Sequence, residues 1–317
     1  MKLVVAALVL LAACSSSTHR TSARSAALSP PGSTTTTGLT TTTGSPAVAA
    51  NVGVMLVVLE NREYGDVVGK SPYLDELARR FGSATQAYGT RHPSLPNYLE
   101  LVAGKTFGIT DDCTSCKVEG TTLVDQLRRA TVEWQALIES MPSPCFTGAS
   151  APNGYAKKHN PFMYFSHVVA DRTLCDHVIP LGPSLAAQLP AAPRSFTWVS
   201  PNLCHDGHDC STSTADTWLR QQLEPVLGST WFTKGGVVIV TYDEGTTGAG
   251  CCNGQASGGH IVTVVAASAT KPGSILATPV DQAGILGTVE DLFGLPRLAD
   301  AACPCAGSLG PLIRSGA

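Results

Sequence analysis

The sequence predicts an α/β fold: a doubly wound, largely parallel sheet with helices on both faces, of the alkaline-phosphatase-like kind discussed below. Two observations lead there. Three short apolar strands each stop on acids or amides, and helix-period segments lie between them. The strands read at 54–59 before Glu60-Asn61, at 195–199 before Pro201-Asn202, and at 237–241 before Asp243-Glu244. Runs of Val and Ile bounded by Gly or polar residues mark strands buried on both faces, as in a parallel sheet. Ligands of open α/β sheets bind beyond the carboxyl ends of such strands. Oxygen-bearing residues at three of those ends point to one polar site, of the kind a metal-dependent hydrolase needs.

The remaining elements follow in order. A helix is predicted over 73–81, with Pro72 placed as a first helical residue. Thr122-Leu-Val-Asp125 matches a capping box and opens a helix over 123–130. Another runs over 214–227, where Trp218, Leu219 and Leu223 recur at helical spacing. A strand over 261–266 and a closing helix over 283–293 continue the alternation. No internal repeat is evident.

Residues 1–14 read as an export signal, with Lys2 as its charge and an apolar run too short to span a bilayer. Its Leu-Ala-Ala-Cys14 ending resembles the bacterial lipoprotein box, which implies cleavage before Cys14 and lipid attachment there. Two acyl chains suffice for stable anchoring. The alternative is a plain secretory signal with an incidental cysteine. Residues 15–50 are almost entirely Ser, Thr, Pro, Gly and Ala, with too little apolar surface to order themselves, and read as a tether. Residues 51–317 remain for the catalytic domain, a length common for an α/β sheet enzyme.

A formal net charge of −3 disfavours nucleic acid as a partner. Apart from Cys14 the cysteines are even in number, which in an exported chain points to disulfides. Cys204 with Cys210 and Cys145 with Cys175 are plausible local pairs. Cys113-Thr-Ser-Cys116 fits either a disulfide or half of a zinc site. Adjacent Cys251 and Cys252 are expected to take separate partners, because a bridge between neighbours strains the peptide joining them.

The segment His92-Pro-Ser-Leu-Pro-Asn-Tyr98 leads into an apolar helical stretch. Two prolines fix the backbone around Ser94, at a helix N-terminus where N–H groups favour an anion. Taken alone, such a serine is most often an N-cap. Three carboxylates crowded at strand ends would repel and protonate without a cation, so Glu60, Asp243 and Glu244 call for a bound ion.

Six segments occur in the order seen in one family: Glu60-Asn61, His92-Pro-Ser-Leu-Pro-Asn97, Phe107-Gly-Ile-Thr-Asp-Asp-Cys113, Tyr155-Ala-Lys-Lys-His-Asn-Pro161, Pro201-Asn202 with Asp206-Gly-His-Asp209, and Thr241-Tyr-Asp-Glu-Gly245. The chain resembles the bacterial phosphoesterase family of secreted acid phosphatases and phospholipase C-type enzymes, within the alkaline-phosphatase-like superfamily. It is most like the mycobacterial-type secreted acid phosphatases, over residues 52–300. The resemblance implies that Ser94 is the nucleophile of a phosphoseryl intermediate and that Asn97 donates to a phosphoryl oxygen. It implies a divalent metal held by Glu60, Asn61, Asp243 and Glu244, with a looser correspondence for His260. It places Asp206 and His208 at the active site; His208 is read as a metal ligand, a residue behind the ligands or a general acid, and spacing does not choose. It brings Lys158 or His159 to the phosphate, and His92 and Asn202 to the substrate loop.

These readings expect an exported phosphomonoesterase acting on phosphate esters and held to the membrane through its N-terminal lipid. No protein partner is inferred. A phospholipase C-type phosphodiesterase is the near alternative, and a ligand-binding lipoprotein without activity the distant one. A serine esterase would show Gly-x-Ser-x-Gly, which is absent. Oxygen ligands favour Mg, Ca or Mn; a histidine among them would suit Zn.

Overall fold

The structure, a computed structural model, describes residues 52–314. The export signal, Cys14 and the tether lie outside the described residues. One sheet contains nine strands: β1 Gly53–Leu59, β2 Gly82–Tyr88, β3 Glu133–Ile138, β4 Val178–Pro180, β5 Ser195–Ser200, β6 Gly236–Tyr242, β7 His260–Ala267, β8 Ser274–Leu276 and β9 Val280–Asp281. Their spatial order is β8-β2-β7-β6-β1-β5-β3-β4, with β9 also beside β2. β1 pairs in parallel with both β5 and β6, and β7 alone runs against its neighbours.

β1, β5 and β6 are buried along their whole length. That is why their sequences are apolar runs without alternation. Each fully buried Val, Leu or Ile contributes about 1.5–3 kcal/mol. Such a frame can carry polar atoms at its strand ends that the site itself leaves uncompensated.

The longer helices are α1 Pro72–Arg80, α2 Ser94–Ala103, α3 Leu123–Arg129, α4 Thr212–Leu227 and α5 Gln282–Phe293. Pro72 does open α1. The capping box forms at α3: Thr122 Oγ1 accepts from the Asp125 N–H, and the Asp125 carboxylate accepts from the Thr122 N–H. β2 and α2 are joined by residues 89–93, which run close against the chain after β6. A Cβ on Gly89 would lie 2.7 Å from the Gly258 carbonyl and 2.9 Å from that of Asp243, so only glycine fits there.

Among the described residues the cysteines form five pairs: Cys113–Cys116, Cys145–Cys175, Cys204–Cys210, Cys251–Cys252 and Cys303–Cys305. The expectation of separate partners for Cys251 and Cys252 is therefore corrected. The backbone turns left-handed there, with φ of 63° at Cys252 and 57° at Asn253, which accommodates the ring closure. Cys113 and Cys116 are bonded to each other and offer no thiolate to zinc.

Candidate active site

The carboxyl ends of β1, β5 and β6 meet at one crevice. Glu60 follows β1 directly, and its N–H donates to the Asp206 carbonyl at 3.0 Å, tying the β1 end to the loop after β5. Asn61 takes a φ of 46°, a left-handed conformation that asparagine tolerates. This turn aims the Asn61 N–H at Asp243 Oδ1, 3.0 Å away. Asp243 is held from the other side, its N–H donating to the Leu59 carbonyl at 2.9 Å.

Ser94 stands at the start of α2, and its hydroxyl donates to Glu60 Oε2 at 2.9 Å. It is not a cap. Pro93 occupies the cap position, and no side chain there accepts a helix N–H. The Leu95 N–H at this helix start is instead met by Asp112 Oδ1 at 2.9 Å. Asp112 Oδ2 also pairs with Lys158 Nζ at 3.0 Å. That ammonium reaches Ser94 Oγ at 3.5 Å and His208 Nε2 at 3.2 Å. His208 Nδ1 is paired with Asp209 Oδ1 at 2.7 Å.

Two side-chain cations share this crevice with the acids. His159 lies 3.2 Å from Glu60 Oε1 and 3.1 Å from Asp206 Oδ2, ionic contacts that are not aligned as hydrogen bonds. Burial opposes its charge, but the Glu60 and Asp206 carboxylates raise its pKa to about 9, so it is an imidazolium at neutral pH. Burial likewise works against Glu60, yet His159 and the Tyr98 hydroxyl hold its pKa below the usual value. Lys158 is desolvated, and the Glu60 and Asp112 charges still raise its pKa.

The other acids behave differently. Burial first, then the charges of Glu60 and Glu244, push Asp243 well above the usual carboxylate range. Glu244 rises to about 7, mainly through burial, although its bond to His92 Nδ1 opposes this. Asp206 is raised by burial while His159 pulls it back.

The Asn61 amide lies 2.9 Å from Glu60 Oε2 and 3.2 Å from both Asp243 Oδ1 and Glu244 Oε1. With its nitrogen inward, two hydrogens face three carboxylates, one too few. With its oxygen inward, that one atom faces an oxygen of each of the three carboxylates at 2.9–3.2 Å. An octahedral ion with bonds of about 2.0–2.1 Å sets neighbouring oxygens about 3 Å apart. Asp243 Oδ2 is buried and has no hydrogen-bond partner. The all-oxygen donor chemistry and this orphaned oxygen suit an oxygen-preferring divalent cation. Among the described residues one oxygen from each of the three carboxylates does not gather within 4.8 Å, so the acids would have to draw together around it.

Several expected site residues have other duties. Asn97 uses its whole amide on the preceding turn: Oδ1 accepts from the Arg91 N–H, and Nδ2 donates to the carbonyls of Arg91 and Pro93. No donor is left for a phosphoryl oxygen. Asn202 Oδ1 caps the N–H groups of Cys204 and His205, and its Nδ2 donates to Ser140. His260 Nε2 donates to the Thr85 carbonyl, 2.9 Å away, and the ring stacks on Tyr64 and Tyr88, so it is held away from the four oxygen donors. His159 turns both ring nitrogens to carboxylates, Nε2 to Glu60 and Nδ1 to Asp206, which leaves neither for a phosphate. His92 bridges Glu244 and the Thr247 carbonyl, an orienting role.

Sequence reasoning missed Tyr98 and Asp112. Both lie in or beside the segments singled out, but a tyrosine on an apolar helix and an acid in a loop carry no signal of their own. Glu63 was missed too. It accepts from the N–H groups of Thr246, Thr247 and His260, stapling the chain after β6 to the end of β1.

The model of the phosphoesterase family matches residues 68–296. The chain belongs to the phosphoesterase family. It is 31% identical over 250 residues to a phosphatidylinositol-3-phosphatase of Mycobacterium tuberculosis, covering 77% of each chain. It is 30% identical over 198 residues to a phosphate-repressible acid phosphatase of Penicillium chrysogenum, covering 60% of this chain but 47% of that one. The chain thus spans about half the length of that fungal relative. Among solved structures it resembles the lipoteichoic acid synthase LtaP of Listeria monocytogenes (TM-score 0.55, 12% identity, 79% and 75% of the two chains) and a phosphonate monoester hydrolase of Agrobacterium radiobacter (TM-score 0.54, 13% identity, 84% and 78%). A protein of the alkaline phosphatase superfamily from Vibrio parahaemolyticus matches at a TM-score of 0.52, with 13% identity over 81% of this chain and 69% of that one. At such identities the likeness is one of fold. The family and its named relatives make this phosphoesterase a hydrolase of phosphoric ester bonds.

Proposed function

We propose that this chain is an exported phosphomonoesterase that works through a Ser94 nucleophile and a divalent metal ion. The observation that carries the reading is the Ser94 hydroxyl, 2.9 Å from Glu60 Oε2 and 3.5 Å from Lys158 Nζ, at the carboxyl edge of the sheet. A serine hydroxyl is a poor nucleophile until a base or cation activates it, and this one has both an acceptor and an ammonium within reach.

Ser94 Oγ attacks phosphorus, and its proton passes to Glu60. The bond to the leaving oxygen breaks as that oxygen takes a proton from the Lys158–His208 pair, in which the ammonium donates to His208 Nε2 and Asp209 steadies the ring. Lys158 offsets charge on the phosphoryl oxygens. Water then attacks phosphorus and gives a proton to the Lys158–His208 pair, and the phosphorus–Ser94 bond breaks as Glu60 returns the proton to Ser94 Oγ. Glu60, Asn61, Asp243 and Glu244 would hold the ion, which when bound supplies positive charge to the phosphoryl group and the serine oxygen.

The imidazolium of His159 keeps Glu60 ionised and in place. Export and lipidation at Cys14 rest on the sequence of the first fourteen residues. They are tested by labelled palmitate incorporation that Cys14→Ala removes.

A substrate panel tests the reaction. Purified protein should turn over p-nitrophenyl phosphate, and a phosphoinositide is a natural second substrate given the mycobacterial relative. Phosphatidylcholine cleavage without monoester turnover would assign the phosphodiester reaction instead. No turnover of any phosphate ester, with metal bound, would overturn the proposal.

A further inference from the structure

The turn closed by Cys113–Cys116 holds two lysines that are neighbours in the chain. Asp112 pairs with Lys158 in the catalytic crevice, and the Thr114 carbonyl accepts from Lys157 Nζ at 2.9 Å. Lys157 is only 7% exposed. Its ammonium lies 4.6 Å from the centre of the Tyr164 ring, and among the described residues no carboxylate pairs with it. Burial, with the nearby charge of Lys117 adding to it, lowers its pKa.

Lys157 and Lys117 line a cavity of about 370 Å³ together with Ser115, Thr147 and Ser166. Tyr164, 1% exposed, lines the same cavity, and its own hydroxyl has no hydrogen-bond partner. Met163 and Val169 supply an apolar part of the wall. A desolvated ammonium is costly without a counter-charge. A carbonyl and a ring face stabilise it only in part. Two cations, four hydroxyl-bearing residues in the lining and a volume in the range of small-molecule sites make an anion the missing partner.

We propose that this cavity is a second anion-binding site, taking the phosphate or carboxylate group of a small organic molecule with a short apolar portion. Its floor and the catalytic crevice share one turn: Lys157–His159 forms a single helical turn, with Lys157 facing the cavity wall and Lys158 and His159 the site acids. The ligand is either the remote end of a substrate held at Ser94 or a separate small anion; both present the same charged group.

Equilibrium dialysis of the full chain against labelled inorganic phosphate tests the assignment. The wild type should bind two phosphates, one in the catalytic crevice and one here. Lys157→Met, which keeps the apolar stem and removes the charge, should bind one. Lys117→Met should weaken the second site at least tenfold, and it serves if Lys157→Met does not fold. Wild-type binding of a single phosphate, or unchanged number and affinity in both variants, overturns the proposal. Dialysis counts phosphate whether or not any ester is turned over, so failure of the catalytic reading would leave the Lys157-dependent phosphate intact. In Lys117→Met, a KM that rises more for a sugar bisphosphate than for p-nitrophenyl phosphate identifies the remote end of a substrate. Equal changes identify a separate anion.

Discussion

Two groups of buried carboxyls in this phosphoesterase share one property and differ in everything else. Glu100 and Glu290 sit in α2 and α5, as hidden from solvent as Glu60 and Asp243 in the crevice. Burial raises both to about 8, with Asp300 and Asp281 adding to the effect at Glu100. Each keeps one oxygen without a hydrogen-bond partner, and among the described residues neither joins an ion pair. Both are thereby pushed toward the protonated form. In the crevice, Glu60 is instead held ionised by His159, receives the Ser94 hydroxyl, and shares the Asn61 amide with two further acids. Burial alone produces an inert acid; convergence with cations and a hydroxyl produces a site.

The comparison breaks most sharply at Ser94. Ser94→Ala should lower phosphatase turnover by about 10³-fold or more. Loss of an N-cap would cost about 0.5–2 kcal/mol of stability and spare the chemistry, but Ser94 caps nothing, so the thermal midpoint should hardly move. Near-wild-type turnover with a lowered midpoint would reverse the assignment.

Removing the ion, or its orphaned ligand, comes next. Exhaustive chelation should abolish turnover, and Asp243→Asn should lower metal affinity and activity by about 100-fold. In metal-free protein the same substitution should raise the thermal midpoint, because it removes one of three acids that repel each other. Full activity after chelation, with no metal found by mass spectrometry, would contradict the ion.

Asp112→Asn gives a smaller effect. It keeps the shape of the side chain but weakens its grip on Lys158 and the α2 N-terminus, so kcat should fall about tenfold. Asp112→Glu should restore part of that loss. A purely structural acid would instead lower the midpoint and leave kcat alone.

The silent acids give the smallest effect, and it appears in stability rather than rate. The folded pKa of Glu290 lies above its unfolded value near 4.5, so the folded state keeps a proton that the unfolded chain releases between pH 4.5 and about 8. Its contribution is therefore complete below the unfolded value and falls as pH rises through that window, by up to about 1.4 kcal/mol per pH unit. Glu290→Gln should flatten this part of the stability–pH curve and leave activity unchanged. An unaltered curve in urea melts from pH 5 to 8 would show that Glu290 ionises normally.

The frame of the site was legible in the sequence because it depends on local burial. Continuous apolar runs marked β1, β5 and β6, and the first polar residues after them had to lie at the sheet edge. Glu60, Asp243 and Glu244 followed from that, whereas Asn61 as a ligand and Ser94 as more than an N-cap rested on the family resemblance. The residues misplaced are those whose role depends on side-chain direction. Asn97 and Asn202 have the right chemistry but spend it on their own turns. His260 starts a strand at the right end of the sheet, yet two tyrosines and a carbonyl hold its ring elsewhere. His159 was expected at the phosphate and is instead held between Glu60 and Asp206. Its imidazolium partly answers the crowding of carboxylates that the sequence assigned wholly to a metal. Tyr98 and Asp112 act through contacts far apart in sequence, 38 and 46 residues from Glu60 and Lys158. No local pattern could reveal them.

The account turns on a covalent bond to Ser94. A labelled phosphomonoester, mixed with enzyme and quenched in acid within one turnover, captures that bond directly. Peptide mapping should find the label on the peptide carrying Ser94, and Ser94→Ala should show none. Label on another residue, or rapid turnover with no label on protein at any quench time, would contradict the serine route and assign the displacement to another nucleophile or to water.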